Sequence, residues 1–169
     1  MSARVTPHTM PKVIIRSSAI HAAGCFAVEP IPAKTRILEY TGERMPHDEA
    51  DKLYEGRPYT YLFGAGTEGS VIDGYGMAMY VNHSCTANCE TEEDDGGRVW
   101  ICSMRRIEAG EELTYDYFLY DGEGEAPCTC GTVDCRGTMY SPAEIRRQKR
   151  MAAKQTRAKS TRGKNKRRA

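Results

Sequence analysis

The placement of cysteines constrains this chain more than any other feature. Cys128, Cys130 and Cys135 fall within one short stretch, CTCGTVDC. Thiols this dense in a polar, glycine-containing loop are hard to bury and reactive if exposed, whereas three neighbouring thiolates converge readily on zinc. A closed structural zinc site takes four ligands, so a donor must return from elsewhere in the chain. Seven cysteines are also an odd number for a disulfide framework. Cys25 and Cys102 sit within apolar, strand-like runs and read as small core residues. Cys85 and Cys89 lie in the run YVNHSCTANCE, residues 80–90, with Cys85 the leading fourth ligand and Cys89 the second choice. The same run sets His83 beside Cys85, a pair that also fits a Cys–His hydrolase, although no third group to orient the histidine is in view.

From Lys12 to Tyr117 the apolar runs are short and rich in β-branched residues (KVIIR, TRILEY, SVID, VWICSM), with Gly, Pro and acidic turns between them. They predict several small sheets in one domain that carries an appendage. Residues 46–54, PHDEADKLY, predict a short helix. In SPAEIRRQKRMAAKQ, Ser141 as N-cap, Pro142 in the first turn and Glu144 form a capping box. It opens a basic helix that is expected to fray into a disordered tail near Thr156. Residues 1–144 hold all 23 acidic residues and 12 of the 24 Lys and Arg, a net of −11, while the last 25 residues hold the other 12 and no acid, a net of +12. The acidic body is expected to attract cations, and the tail nucleic acid or the body itself. Neither the opening MSARVTPHTMPKV nor any later stretch has the apolar run of a secretory leader or a membrane span, so a soluble protein of a reducing compartment is expected.

Four motifs in order carry a resemblance. NHSCTANC, GEELTYDY at residues 110–117, CTCGTVDCRGTM and the upstream SAIHAAGCFAVEPIPAKTRILEYTGE resemble successive segments of SET-domain protein lysine methyltransferases, over about residues 12–140. The resemblance implies a mainly β fold of the β-clip kind: small sheets around a knotted active-site core, few short helices, then a basic C-terminal helix and tail. It divides the chain into an N-terminal extension at 1–11, a SET domain at 12–120, a post-SET zinc module at 124–140 and the basic segment 141–169. It implies an S-adenosyl-L-methionine site at Ala23, Gly24, Cys25, Asn82, His83 and Tyr117, with Tyr61, Met139 and Tyr140 at less specific positions. It makes Cys85 the fourth zinc ligand beside Cys128, Cys130 and Cys135, so that the ion clamps a C-terminal flap against the cofactor pocket. The chain departs from the family pattern at Ala22, where the cofactor turn has its first Gly, and at Met77, Met79 and Ala87. The loss at Ala22 matters most, since Gly permits close backbone approach to a ligand and alanine can substitute where φ is negative.

Methyl transfer to lysine asks for alignment and dryness more than covalent help. The amine must be neutral, although free lysine titrates near about 10.4, and a narrow apolar channel beside a sulfonium disfavours the ammonium form. Tyrosines suit such a channel, offering a π face and one hydroxyl each. A single tyrosine among ten is by default a packing residue. The resemblance sets three apart: Tyr117 to position the amine, Tyr40 as a second channel residue, and Tyr115 where the family has Phe or Tyr. A hydroxyl at Tyr115 narrows the pocket and favours the addition of one methyl, with a second as the limit. Asp116 is expected to bind nearby backbone, and His21 and His47 to be exposed and inert. The implied substrate is a basic protein tail, histone three favoured. The segment MAAKQTRAKSTRGKNKRRA itself resembles the amino-terminal tail of histone three, so self-methylation at Lys154 or Lys159 stands beside a generic phosphate-binding role. The other reading is a catalytically weak SET-fold module that holds nucleic acid or chromatin through its tail. The expected location is intracellular: nuclear chromatin or a microbial cytoplasm, with a secreted effector that reaches a host nucleus as a further option.

Overall fold

In the computed structural model, residues 10–57, 60–65, 69–120 and 125–165 are described, with side chains to 155. The described residues include ten short strands, two α-helices and one 3-10 turn, joined by loops. β1 (Val13–Ser17) and β2 (Ala23–Ala27) form an antiparallel hairpin in which Ile15 faces Cys25. β3 (Arg36–Glu39) enters a second sheet, and β4 (Gly42–Pro46) a third. The expected short helix follows as α1 (His47–Tyr54), opened by Pro46 in extended conformation. β5 (Leu62–Gly64) and β6 (Ser70–Gly74) complete the third sheet in the order β4-β6-β5.

The second sheet positions the site. Its order is β3-β9-β8-β10-β7, with β7 at Asn82–His83, β8 at Cys89–Glu93, β9 at Val99–Ser103 and β10 at Thr114–Tyr115. The two-residue β10 slots between β7 and β8 and runs parallel to both, pairing Thr114 with Asn82, and Tyr115 with both His83 and Cys89. Asn88 locks this insertion. Its Oδ1 accepts the Thr114 N–H at 2.9 Å, and its Nδ2 donates to the Glu112 carbonyl at 2.8 Å. The segments NHSC and TYDY, about thirty residues apart in sequence, are thereby held side by side.

Ile31, Ile37, Ile101, Ile107 and Leu113 are fully buried and form the core with Val81, Cys25 and Cys89. Cys25 and Cys102 are buried, as their apolar runs predict. The basic helix α2 spans Pro142–Asn165 and does not fray at Thr156. Its Ala, Arg, Lys and Gln content favours helix, and no proline interrupts it after the first turn. No helix among the described residues is long and apolar enough to cross a membrane.

Candidate active site and metal centre

The sulfur atoms of Cys85, Cys128, Cys130 and Cys135 all lie within 4.8 Å of one another, Cys85 and Cys128 at 3.7 Å. Four sulfurs about 2.3 Å from a tetrahedral ion stand roughly 3.8 Å apart, so the donor set fits zinc in both chemistry and spacing. Backbone N–H groups of Arg136, Gly137 and Cys130 point at Cys85, Cys135 and Cys128 Sγ at 3.4, 3.4 and 3.5 Å, the contacts that stabilise thiolate. Burial acts to raise the Cys130 thiol, yet backbone donors and the Thr132 hydroxyl outweigh it and hold the group at about 5. Cys89, the second choice for fourth ligand, is instead buried in the core, where desolvation pushes its thiol up to about 12. His83 does stand 3.4 Å from Cys85, but that sulfur belongs to the four-thiol cluster.

A cavity of about 390 Å³ is lined by Tyr40, Tyr61, Phe63, Tyr115 and Tyr117, and by Phe118, Leu119 and Tyr120 of the segment that follows β10. Tyr115 and Tyr117 have ring centroids 4.7 Å apart, and Phe63 stands 5.0 Å from Tyr40 and 6.2 Å from Tyr115. The Tyr40 hydroxyl donates to the Tyr61 carbonyl at 2.7 Å, and the Tyr117 hydroxyl to the Val81 carbonyl at 3.1 Å. Burial pushes the Tyr117 phenol up to about 12 and raises Tyr40 and Tyr115 as well, so all three are neutral hydroxyls at ordinary pH. Tyr117 also donates its backbone N–H to His83 Nδ1 at 3.2 Å. Burial lowers the His83 imidazole, and the neutral ring then carries its proton on Nε2, toward Cys85. His47 is partly exposed, lines the cavity and stands 3.2 Å from Asp51.

Asp116 binds backbone as expected, accepting the Phe118 N–H at 3.1 Å, and also grips the Arg136 guanidinium through two contacts at 2.7 and 2.9 Å. These contacts fix a turn in which Phe118 adopts φ +46°, a conformation that a bulky side chain disfavours.

At the other end, Asn82 Nδ2 donates to the Ala23 carbonyl at 2.9 Å and to Glu112 Oε1 at 2.8 Å, and the Ser18 hydroxyl donates to the same carboxylate. A Cβ at Gly24 would fall 2.2 Å from Glu112 Oε1, so glycine lets that carboxylate keep its place against Asn82 and Ser18. Ala22 does not meet the condition under which alanine substitutes freely for glycine. Its φ is +29°, so the turn keeps the backbone shape that glycine serves while carrying a methyl group. Cys25 is not brought to the cleft: its side chain is fully buried, and its carbonyl accepts the Leu113 N–H. Tyr61 joins the tyrosine cavity and not this turn.

Met139 and Tyr140 lie on the flap that follows the cysteines. Leu119 donates to the Met139 carbonyl, Met139 to the Ala126 carbonyl, and Ser141 to the Leu119 carbonyl. The Thr129 hydroxyl donates to the Ile20 carbonyl at 3.0 Å, tying the cysteine loop to the turn that carries Ala23 and Gly24. Sequence reading assigns no role to Ser18, Glu112, Thr129 or Arg136. All four lie inside the quoted motifs, Ser18 at the head of SAIHAAGCF, Glu112 in GEEL, and Thr129 and Arg136 in CTCGTVDCRG, so motif position is the signal that could have found them.

A family profile described as SET domain matches residues 22–118. The chain is 40% identical over 134 residues to a protein of Aspergillus oryzae named histone-lysine N-methyltransferase, H3 lysine-4 specific, an alignment that covers 71% of this chain and 11% of that protein. Relatives of the same name occur in Eremothecium gossypii, 38% identical over 148 residues (79% of this chain, 15% of the relative), and Saccharomyces cerevisiae, 39% over 139 residues (74% and 13%). The chain thus spans between 11% and 15% of the length of these curated relatives.

Proposed function

The chain belongs to the SET-domain family, and from that premise we propose that it is a protein-lysine N-methyltransferase acting on the amino-terminal tail of histone three. The observation that carries the reading is the insertion of β10 between β7 and β8. It sets Tyr115 and Tyr117 in an aromatic cavity and pairs the strand that carries Tyr115 with Asn82 and His83, which lead into the Asn82–Glu112 network and to Cys85 of the four-thiol cluster. The lysine-4 specificity in the relatives' names makes that lysine the first target to test.

S-adenosylmethionine, the methyl donor of SET methyltransferases, supplies a methyl group on a cationic sulfur. Ala23, Gly24, Asn82 and Glu112 are the residues that would hold it, and a carboxylate among amide and carbonyl groups suits its positive charges. Cys85, Cys128, Cys130 and Cys135 would hold zinc, which contributes folding energy by tying the flap to the β7 loop. The tyrosine cavity receives the lysine side chain, excludes water from it and aligns its nitrogen. With its phenol near 12, Tyr117 orients the amine by hydrogen bonding and does not serve as its base at neutral pH. The lysine proton therefore leaves to solvent before the nitrogen is enclosed. The Tyr115 hydroxyl restricts the space for added methyl groups, so the main product is monomethyl-lysine.

The test is incubation of the full chain with donor and a histone three tail peptide, read by mass spectrometry, with Tyr117→Phe as the control. Methylated peptide that disappears in the variant is expected. A wild-type chain that binds the donor in calorimetry but methylates neither the peptide nor whole histones overturns the reading.

A further inference from the structure

The lysine pocket does not account for α2. We propose that this helix binds duplex DNA by lying in the major groove, and so fixes the flap side of the active site beside a DNA backbone. Twelve Lys and Arg fall in the last 25 residues with no acid among them, and the segment from Pro142 is helical for 24 residues, about 36 Å at 1.5 Å per residue. Arg146, Arg150 and Lys154 stand at i, i+4 and i+8, which places them on one face. All three are exposed, and none forms an ion pair among the described residues. The helix's only acid, Glu144, is engaged by Arg147 through two contacts at 2.6 and 2.7 Å, and by Gln148 at 3.1 Å. The cationic face is therefore left for a partner.

The helix is also anchored. Ser141 caps it through the Glu144 N–H at 3.1 Å and donates its own N–H to the Leu119 carbonyl at 2.9 Å, on the segment that walls the tyrosine cavity. A partner held along α2 is thus placed relative to the site. Charge selects a polyanion, and shape selects among polyanions. A helix about 10–12 Å across fits the roughly 12 Å major groove of B-form DNA, with phosphates on both sides, whereas the major groove of A-form RNA is too narrow to admit it. The contacts are to phosphate, so binding is independent of sequence and steeply dependent on salt.

The proposal does not rest on catalysis, and its test reads it without the methyl donor. Fluorescence anisotropy of the full, zinc-loaded chain with a labelled duplex of about 30 base pairs should show Kd weakening at least roughly tenfold between about 50 and 200 mM salt. Replacing the stripe as R146E/R150E/K154E should weaken binding at least about tenfold and reduce the log–log salt slope by about three. The neutral set R146Q/R150Q/K154Q, which retains helix propensity, should show a smaller loss in the same direction. Methylation of a free peptide at about 0.5 M salt, where the body's field is screened, should be unchanged in both variants. No binding at low salt, unchanged Kd and slope in the charge-reversed variant, or tighter binding of an RNA duplex of equal length would each overturn the proposal.

Discussion

Ala22 is a position visible in the sequence whose consequence is not. The departure from glycine is plain in SAIHAAGCF, but the sign of φ is set by how β1 turns into β2, and the value is +29°. A left-handed alanine carries a steric penalty that glycine does not, partly offset by the greater entropy that glycine loses on folding. Ala22→Gly should therefore raise stability by about 0.5–1 kcal/mol, a few degrees in Tm, and a thermal melt that is unchanged or lower refutes the strain. Tyr115 is legible by motif position, and the structure puts its ring in the cavity beside Tyr117. Removing its hydroxyl in Tyr115→Phe enlarges the space around the nitrogen. Mass spectrometry of the peptide product should show a shift from mono- to di- and trimethyl-lysine, and an unchanged distribution counts against the steric role. Glu112 escapes notice in the sequence because a glutamate in a turn reads as solvent-facing. Only the fold sets it against Gly24 and Asn82.

At the scale of elements, the longer strands and both helix starts can be read from β-branched runs and capping residues, since those signals are local. β10 cannot. Two residues have no periodicity, and their parallel pairing with β7 and β8 is a long-range event. The full extent of α2 is hidden wherever charge repulsion is weighed above the helix propensity of Ala, Lys and Arg. The choice between Cys85 and Cys89 is likewise beyond spacing alone, since both lie in one loop. In the fold Cys85 faces the post-SET cysteines and Cys89 starts β8 with its side chain in the core. Two serine substitutions separate these environments. Cys85→Ser should release zinc, detach the Thr129–Ile20 tie and lower turnover by roughly a hundredfold or more. Cys89→Ser should keep full metal content and lose stability by about 1–3 kcal/mol, because a hydroxyl replaces a buried thiol. Metal analysis with urea titration checks both, and zinc retained in the Cys85 variant is the outcome that breaks the assignment.

For the whole molecule, the division of charge bears on how the proposed cationic substrate would approach. The body's net of −11 would draw a cationic peptide toward the cavity, but the +12 of the C-terminal segment leaves the full chain near +1 and nearly cancels the distant field. A chain ending at Gln148 keeps Ser141, Glu144 and the first turns of α2, and so the flap anchor, while its net charge becomes −9. If attraction by the body matters, this shortened chain should methylate a basic peptide with a kcat/KM several-fold higher than the full chain at about 20 mM salt, where the Debye length exceeds roughly 20 Å. The gain should reside in KM, because the cavity tyrosines and the four thiols are untouched. By about 0.5 M salt the two should converge, as screening confines the field to a few ångströms. The opposite ranking is required on DNA-wrapped substrate, where losing the outer helix removes the phosphate contacts and the full chain should be faster. A shortened chain that shows no low-salt gain on free peptide, or that keeps its advantage at high salt, would mean that the acidic body does not steer the substrate and that recognition is confined to contacts inside the cleft.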